Sequence, residues 1–136
     1  MRGISVGGFS FFAMKKIFSI KKNSVFTRIY TKGKSSVQPS VVVYVRKNPM
    51  LENSEIGITT GKKLGGAVQR NRARRIIREA WRLLVLENEG LARAPFYVVV
   101  VARSRCFKKN TKMQTVKKDL YHGLVSLGLI TEQGEK

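Results

Sequence analysis

The chain contains few of the residues from which catalytic and metal sites are usually built. Its 136 residues include eight acidic side chains, one histidine and one cysteine. Two-metal catalysis needs several converging carboxylates, whereas the acids here include a single Asp and show no D-x-D or E-x-x-H spacing. Acid–base catalysis uses a positioned pair of groups, and His122 has no second histidine to pair with. We therefore predict no catalytic residue and no metal ligand, and interpret His122 as a helix-surface or partly buried residue.

Disulfides and long apolar runs are also missing. The lone Cys106 excludes internal disulfides and cysteine metal clusters, so the reducing cytoplasm is the expected compartment. No apolar run approaches the roughly 20 residues of a membrane-spanning helix. The apolar segment Ile4–Ala13 follows Arg2, as in a signal peptide, but the stronger positive pair Lys15 and Lys16 lies on the wrong side of it. We expect a cytoplasmic protein that is not bound to a membrane.

Positive charge is present in large excess. There are 27 Lys and Arg residues, and the formal net charge is +19. Such an excess destabilises a compact chain through self-repulsion, which indicates a strongly anionic partner. Nucleic acid is the first candidate and an anionic membrane surface the second. The 43% apolar content is sufficient for one folded domain with a modest core.

The charge is concentrated between Gly61 and Arg82, where eight of 22 residues are Lys or Arg and Glu79 is the only acid. From about Ala67 onward the apolar residues recur at helical spacing, which predicts a helix with one buried face. Arginines occupy the opposite face without the interspersed acids of an ordinary solvated helix. Arginine favours bidentate phosphate contacts and stacking on bases. The predicted core positions are Ala73, Ile76, Ile77, Ala80 and Leu84, and the predicted opposite face carries Arg75, Arg78 and Arg82.

The remaining pattern predicts an α+β domain. Ser35–Ser40 is predicted to be a loop, and the strand at about Glu55–Thr60 is predicted to pair antiparallel with the strand at Ser40–Lys47. If the pattern misses one short strand, the order of elements is αβββαβα. This order describes one small sheet with helices packed mainly on one side. The predicted elements are a helix at Ser24–Lys32, strands at Ser40–Lys47 and Glu55–Thr60, the basic helix to about Leu86, a buried strand at Phe96–Ala102 and a helix at Lys112–Leu127.

The basic segment resembles the protein subunit of bacterial ribonuclease P. The residues Lys62–Gly65, Ala67–Arg75 and Arg78-Glu79 are similar to that family's pattern S-K-K-x-G-x-A-V-x-R-N-R-x-K-R-x-x-R-E, without gaps. Gly61 stands where the family usually has Ser, and Gly66 where a polar residue is common. The resemblance extends from about Lys16 to about Leu129, through the short helix ending at Gly33 and the valine-rich strand after Pro95.

This resemblance implies a fold and a function. The implied fold is shared with some ribosomal and elongation-factor domains and has a left-handed βαβ crossover through the arginine-rich helix, against the general right-handed preference. The implied function is that of the accessory subunit of an endoribonuclease that removes the 5′ leader of precursor tRNA. Its partners would be the catalytic RNA subunit and precursor tRNA, with no obligate protein partner. The RNA would carry the chemistry and bind most of the Mg²⁺ used by the holoenzyme, with none bound tightly by the protein.

The resemblance also implies two sets of RNA-binding residues. One lines a leader-binding cleft between the first helix and the sheet, and the other contacts the catalytic RNA and the substrate near the cleavage site. The residues alone leave simpler alternatives open: Phe26 and Tyr30 could be core residues, and Asn71 could be only a helix-start cap. The cleft residues are Phe26, Tyr30, Tyr44 and Thr59. The other RNA-binding residues are Lys62, Lys63, Arg70, Asn71, Arg72, Arg74, Arg75, Arg78 and Arg82. Of these, Lys63 would sit at the same cleft as Thr59.

Two other classes share parts of this pattern. A ribosomal protein or general RNA chaperone would have the same charge but no preference for substrates with a 5′ leader. A helix-turn-helix DNA-binding protein would need a second short helix before the basic one, which the sequence does not show. Within the chain, we expect 14–130 to form a single RNA-binding domain, 1–13 to be a disordered and dispensable extension, and 131–136 to be a frayed tail.

Overall fold

The computed structural model describes residues 18–20, 23–61, 63, 65–88, 90–108 and 111–130. The expectations for the segments 1–13 and 131–136, and for Lys62, lie outside the described residues.

One five-stranded sheet forms the middle of the domain, in the order β1-β4-β5-β3-β2. The central strand β5 pairs antiparallel with β3 and parallel with β4. β2 pairs antiparallel with β3, and the two-residue β1 pairs parallel with β4. The strands are β1 (Phe18–Ser19), β2 (Lys34–Val37), β3 (Val41–Lys47), β4 (Glu55–Thr59) and β5 (Phe96–Ala102).

Among the described residues, three helices cover the two faces of this sheet unequally. α2 (Ala67–Glu87) and α3 (Met113–Ser126) enclose the main core together with a short 3₁₀ helix (Ser104–Phe107). α1 (Asn23–Lys32) packs on the opposite face, where Ile29 meets Val99. The predicted α+β class, the αβββαβα order and the placement of helices mainly on one side are confirmed, with β1 added before α1.

Two sequence-based expectations were wrong. Half of the segment predicted to be a loop between Ser35 and Ser40 belongs to β2, which pairs along its whole length with β3. The strand β4 does not pair with β3, because β5 lies between them and is parallel to β4. The turn residues before β4 therefore belong to a connection that passes across β5, and not to a hairpin.

The basic helix α2 connects the adjacent parallel strands β4 and β5, so these three elements form a β–α–β crossover. At its start the Gly66 N–H donates to Gln69 Oε1 at 2.8 Å. At its end the N–H and the side-chain amide of Asn88 both donate to the Leu84 carbonyl, at 2.9 Å each, which satisfies a carbonyl that the helix leaves unpaired. The buried face comprises Ala73, Ile77, Ala80, Trp81 and Leu84, with Ile76 partly buried.

The junction between α1 and β2 requires a glycine. A Cβ on Gly33 would lie 2.5 Å from the Val45 carbonyl oxygen and 2.6 Å from that of Ile29. The absence of a side chain therefore lets the end of α1 sit directly against the backbone of β3. This close approach places the exposed side of α1 next to Tyr44 in the same strand.

Candidate nucleic-acid interface

Two arginines of α2 project into solvent. Arg75 and Arg78 are exposed, and neither makes a hydrogen bond or ion pair within the part of the chain that the structure describes. Lys63, ahead of the helix, is also exposed. Because no partner among the described residues competes for them, these cations are available for phosphate groups.

Three other arginines are held by the protein backbone. Arg70 Nη1 donates to the Gly65 carbonyl at 2.9 Å, which fixes the glycine segment ahead of α2. Arg72 donates to the Lys108 and Thr111 carbonyls at 3.1 and 2.6 Å. Arg74 donates to the Ile58 carbonyl and to Thr60 Oγ1, at 3.0 and 3.1 Å. These hydrogen bonds leave the positive charges in place while orienting the guanidinium groups.

The expected face of constant sign ends at Arg82. Its guanidinium forms an ion pair with Glu79, with Arg82 Nε 3.0 Å from Glu79 Oε1. Glu79 and Arg82 are i,i+3 neighbours on the helix surface, a spacing at which opposite charges attract. Arg82 therefore contributes less free charge than Arg75 or Arg78, although the sequence pattern treats the three alike.

Asn71 is not a helix-start cap. The helix begins at Ala67 with Gly66 as its N-cap, so Asn71 lies more than one turn into α2. Its side chain is exposed and is free of hydrogen bonds within the described segments. This position removes the simpler explanation for Asn71 and leaves its amide available to a partner.

On the other face of the sheet, α1 carries the aromatic residues that the sequence identifies. Phe26 is partly buried, and its ring lies over Gly57 of β4: a Cβ there would be 2.5 Å from Phe26 Cζ. Phe26 is thus in part a packing residue, as the core alternative held. The missing side chain at Gly57 is what allows the ring to rest on the strand.

Tyr30 is the most exposed of these aromatics, with 39% of its surface accessible. Its hydroxyl lies 3.1 Å from Thr59 Oγ1 at the end of β4. Its ring meets the edge of the Tyr44 ring at a centroid distance of 4.9 Å and an angle of 80°. The structure therefore brings Phe26, Tyr30, Tyr44 and Thr59 together, and we name this group the α1 cleft.

A row of sheet residues continues the α1 cleft towards the open edge. Val37, Val42, Val101 and Thr59 are aligned across β2, β3, β5 and β4 by the strand register. Paired residues of neighbouring strands point to the same face. Val37 is 64% exposed, so apolar surface remains open beside Tyr30 and Tyr44. Sequence reasoning missed Val37 because its segment was taken for a loop.

Comparison with known proteins identifies the family. A family model described as Ribonuclease P matches residues 14–127. The ribonuclease P protein component of Alkaliphilus metalliredigens is 33% identical over 112 residues, which cover 82% of this chain and 95% of the relative. That of Staphylococcus carnosus is 38% identical over 111 residues, covering 82% and 90%. The chain belongs to the ribonuclease P protein family.

Solved structures of ribonuclease P proteins have the same fold. The Staphylococcus aureus RNase P protein superimposes with a TM-score of 0.71 at 31% identity, covering 84% of this chain and 98% of that one. The Thermotoga maritima RNase P protein gives 0.66 at 28% identity, with the same coverage. The ribosomal-protein or RNA-chaperone alternative is not favoured by these matches.

Outside these surfaces, the chain carries one cysteine and one histidine. Burial raises the pKa of the Cys106 thiol to about 11, against its ordinary value of 9.0, with the nearby Arg72 opposing the shift. His122 is exposed on α3. Among the described residues, no three His, Cys, Asp or Glu side chains converge as metal ligands, and no helix is long and apolar enough to cross a membrane.

Proposed function

We propose that this protein is the accessory subunit of a ribonuclease P holoenzyme that removes the 5′ leader from precursor tRNA. Family membership supports the assignment to ribonuclease P. The two surfaces support separate binding sites for the leader and for the catalytic RNA. The carrying observation is that partly exposed aromatic and apolar side chains are grouped on one face of the sheet, while Arg75 and Arg78 of α2 extend from the other.

The α1 cleft would bind the single-stranded leader. Unpaired bases stack on aromatic side chains with little dependence on sequence, and each stacked base is typically worth about 1–3 kcal/mol. Tyr30 and Tyr44 offer ring surface, and the row ending at Val37 offers apolar surface beside them. A leader crossing this face would therefore meet both stacking surfaces and an apolar floor.

The exposed cations of α2 would bind the catalytic RNA and the substrate close to the cleavage site. Arg75 and Arg78 are the strongest candidates because their guanidinium groups are uncommitted within the described segments. Arg70, Arg72 and Arg74 would add charge from fixed positions, and Arg82 would add the least because Glu79 neutralises it. Lys62, Lys63 and Asn71 complete this proposed set.

The RNA subunit would carry the chemistry and hold most of the Mg²⁺. Three of the five described carboxylates are engaged within the protein, and the other two, Glu52 and Glu55, belong to no group of three or more potential metal ligands among the described residues. Glu79 is paired with Arg82, Glu87 with Lys117, and Asp119 accepts from Ser40, whereas Mg²⁺ sites use uncommitted carboxylates together with phosphates. We place the holoenzyme in the cytoplasm, with no obligate protein partner.

Reconstitution with a bacterial ribonuclease P RNA tests this proposal. The protein alone is expected to leave precursor tRNA intact. With the RNA, it should permit cleavage at Mg²⁺ concentrations where the RNA alone is nearly silent, because a cationic subunit reduces repulsion between two RNAs. Robust cleavage by RNA-free protein would contradict the proposal.

Two variants separate the surfaces in the same assay. Tyr30→Ala should reduce affinity for precursor tRNA more than for mature tRNA, because only the precursor has a leader. Arg75→Ala should weaken assembly with the catalytic RNA instead. Equal losses for both tRNAs in Tyr30→Ala would mean that the α1 cleft does not bind the leader.

A further inference from the structure

Within the described residues, the outer side of β4 is paired with a strand over its first two residues. The short strand β1 pairs with Glu55 and Ile56, and the Ile20 N–H donates to the Ile56 carbonyl at 2.9 Å. Carbonyls two residues apart in a strand point the same way. The Ile58 carbonyl therefore points to the same outer side of β4 as the Ile56 carbonyl.

Arg74 of α2 occupies this place. Its Nη1 donates to the Ile58 carbonyl at 3.0 Å, and its Nη2 donates to Thr60 Oγ1 at 3.1 Å. One planar guanidinium thus holds both the Ile58 carbonyl and the side chain of Thr60, the first residue after β4. A lysine has a single ammonium group and not a fork of donors, so it would not hold both acceptors in this geometry.

Thr59 lies between these two anchored residues. Its Oγ1 is 3.1 Å from the Tyr30 hydroxyl, and Tyr30 in turn contacts Tyr44 edge to face. A continuous series of contacts therefore runs from a basic residue of α2, through the end of β4, to the stacking surfaces of the α1 cleft.

We propose that Arg74 is a positioning residue for the α1 cleft, which sets the end of β4 and thereby the orientation of Tyr30. This inference rests on the proposed function, since it assigns Arg74 a role in leader recognition. The role goes beyond a phosphate contact, because a phosphate contact needs the charge of Arg74 but not its two hydrogen bonds to β4.

Arg74→Lys tests this role, since it retains the charge and removes the fork. The reconstituted holoenzyme carrying it should lose about fivefold in its preference for precursor over mature tRNA, which corresponds to about 1 kcal/mol, the net value of a typical hydrogen bond. Thr60→Val, which removes one acceptor and leaves Arg74 intact, should shift the preference in the same direction. The two changes combined should be less than additive.

Arg75→Lys is the matched control on the neighbouring position of α2. Arg75 makes no hydrogen bond within the described segments, so any effect of its replacement should fall on precursor and mature tRNA alike. If Arg74→Lys also affects both tRNAs equally, Arg74 acts only through its charge and the inference is wrong.

A measurement on the free full-length protein separates this inference from the proposed function. NMR signals of the Thr59 methyl group and the Tyr30 ring should move in Arg74→Lys and stay in place in Arg75→Lys. Unmoved signals would overturn the positioning role, whatever the cleft binds. Moved signals, together with a Tyr30→Ala variant that retains full leader preference, would instead show that Arg74 positions Tyr30 but that the cleft is not the leader site, so that the leader-binding part of the inference falls with the proposed function.

Discussion

Gly57→Ala is expected to disturb the α1 cleft through a single methyl group. The new Cβ would lie 2.5 Å from Phe26 Cζ and 2.6 Å from Cε1. Carbon atoms pack at about 3.5–4.0 Å, so the ring must retreat by about 1 Å. Ile20 Cδ1, 3.5 Å from the same point, restricts movement of the new methyl group towards the other side.

The expected cost follows from two opposing effects. Overpacking a well-fitted site typically costs about 1–3 kcal/mol. Replacing a strand glycine by alanine raises the free energy of unfolding by about 0.5–1 kcal/mol, because the unfolded chain loses conformational freedom. We therefore expect the free energy of unfolding to fall by about 1–2 kcal/mol, and the preference for precursor over mature tRNA to fall with it.

A double-mutant cycle with Phe26→Ala provides the decisive assay. Urea unfolding would be measured for the parent, both single variants and the double variant. Once the ring is gone the clash is gone, so Gly57→Ala should be neutral or stabilising in the Phe26→Ala background. The same loss in both backgrounds would refute the reasoning, since the cost of the methyl group would then not come from the aromatic ring.

Three further predictions concern charge, burial and ionisation. Arg75→Ala should flatten the slope of log affinity for the catalytic RNA against log salt by about 0.7–0.9. Glu79→Gln should steepen the same slope, because Arg82 is released from its ion pair. Salt titrations that show no change in either variant would contradict the assignment. Asp119→Ala should lower the free energy of unfolding by about 1–3 kcal/mol, because the buried Ser40 N–H and hydroxyl lose their shared acceptor. Chemical unfolding measures this loss, and Lys118→Ala, at the exposed neighbouring residue, is the control. Since burial raises the pKa of Cys106 to about 11, alkylation at pH 8 should be about 100-fold slower in the folded protein than in urea. The stability that the neutral thiol provides should be complete below about pH 9 and lost as the pH rises towards 11. Equal alkylation rates would show the thiol to be accessible.

Regular local patterns made much of the fold predictable. The apolar run Phe96–Ala102 and the helical spacing from Ala73 to Leu84 depend on neighbours in sequence, and both elements are found as expected. The strand β2 was missed because Lys34–Val37 is mostly polar and lies at a sheet edge, where burial imposes little pattern. The parallel pairing of β4 depends on a contact across the whole of α2, for which local turn residues give no signal.

The candidate site was also predictable only in part. The aromatic and arginine positions follow from spacing and from the family resemblance, and the structure groups Phe26, Tyr30, Tyr44 and Thr59 as expected. The state of each arginine does not follow from spacing. Arg72 reaches carbonyls nearly forty residues away in sequence, and Arg74 reaches the end of β4. Such long-range hydrogen bonds need the folded chain.

The central position of β5 determines when during synthesis this protein can become functional. Within the described residues, β3 and β4 are joined through β5, which follows both of them in sequence: Val41 pairs with Ala102, and Glu55 with Tyr97. A nascent chain that ends before Phe96 has the β2–β3 pair, a separate β4 and no complete sheet to receive the apolar face of α2. Pairings so distant in sequence also slow folding, since the intervening chain must be closed into a loop first. The two proposed RNA-binding surfaces are therefore expected to form together, at a late step, and a chain truncated before β5 should have neither surface.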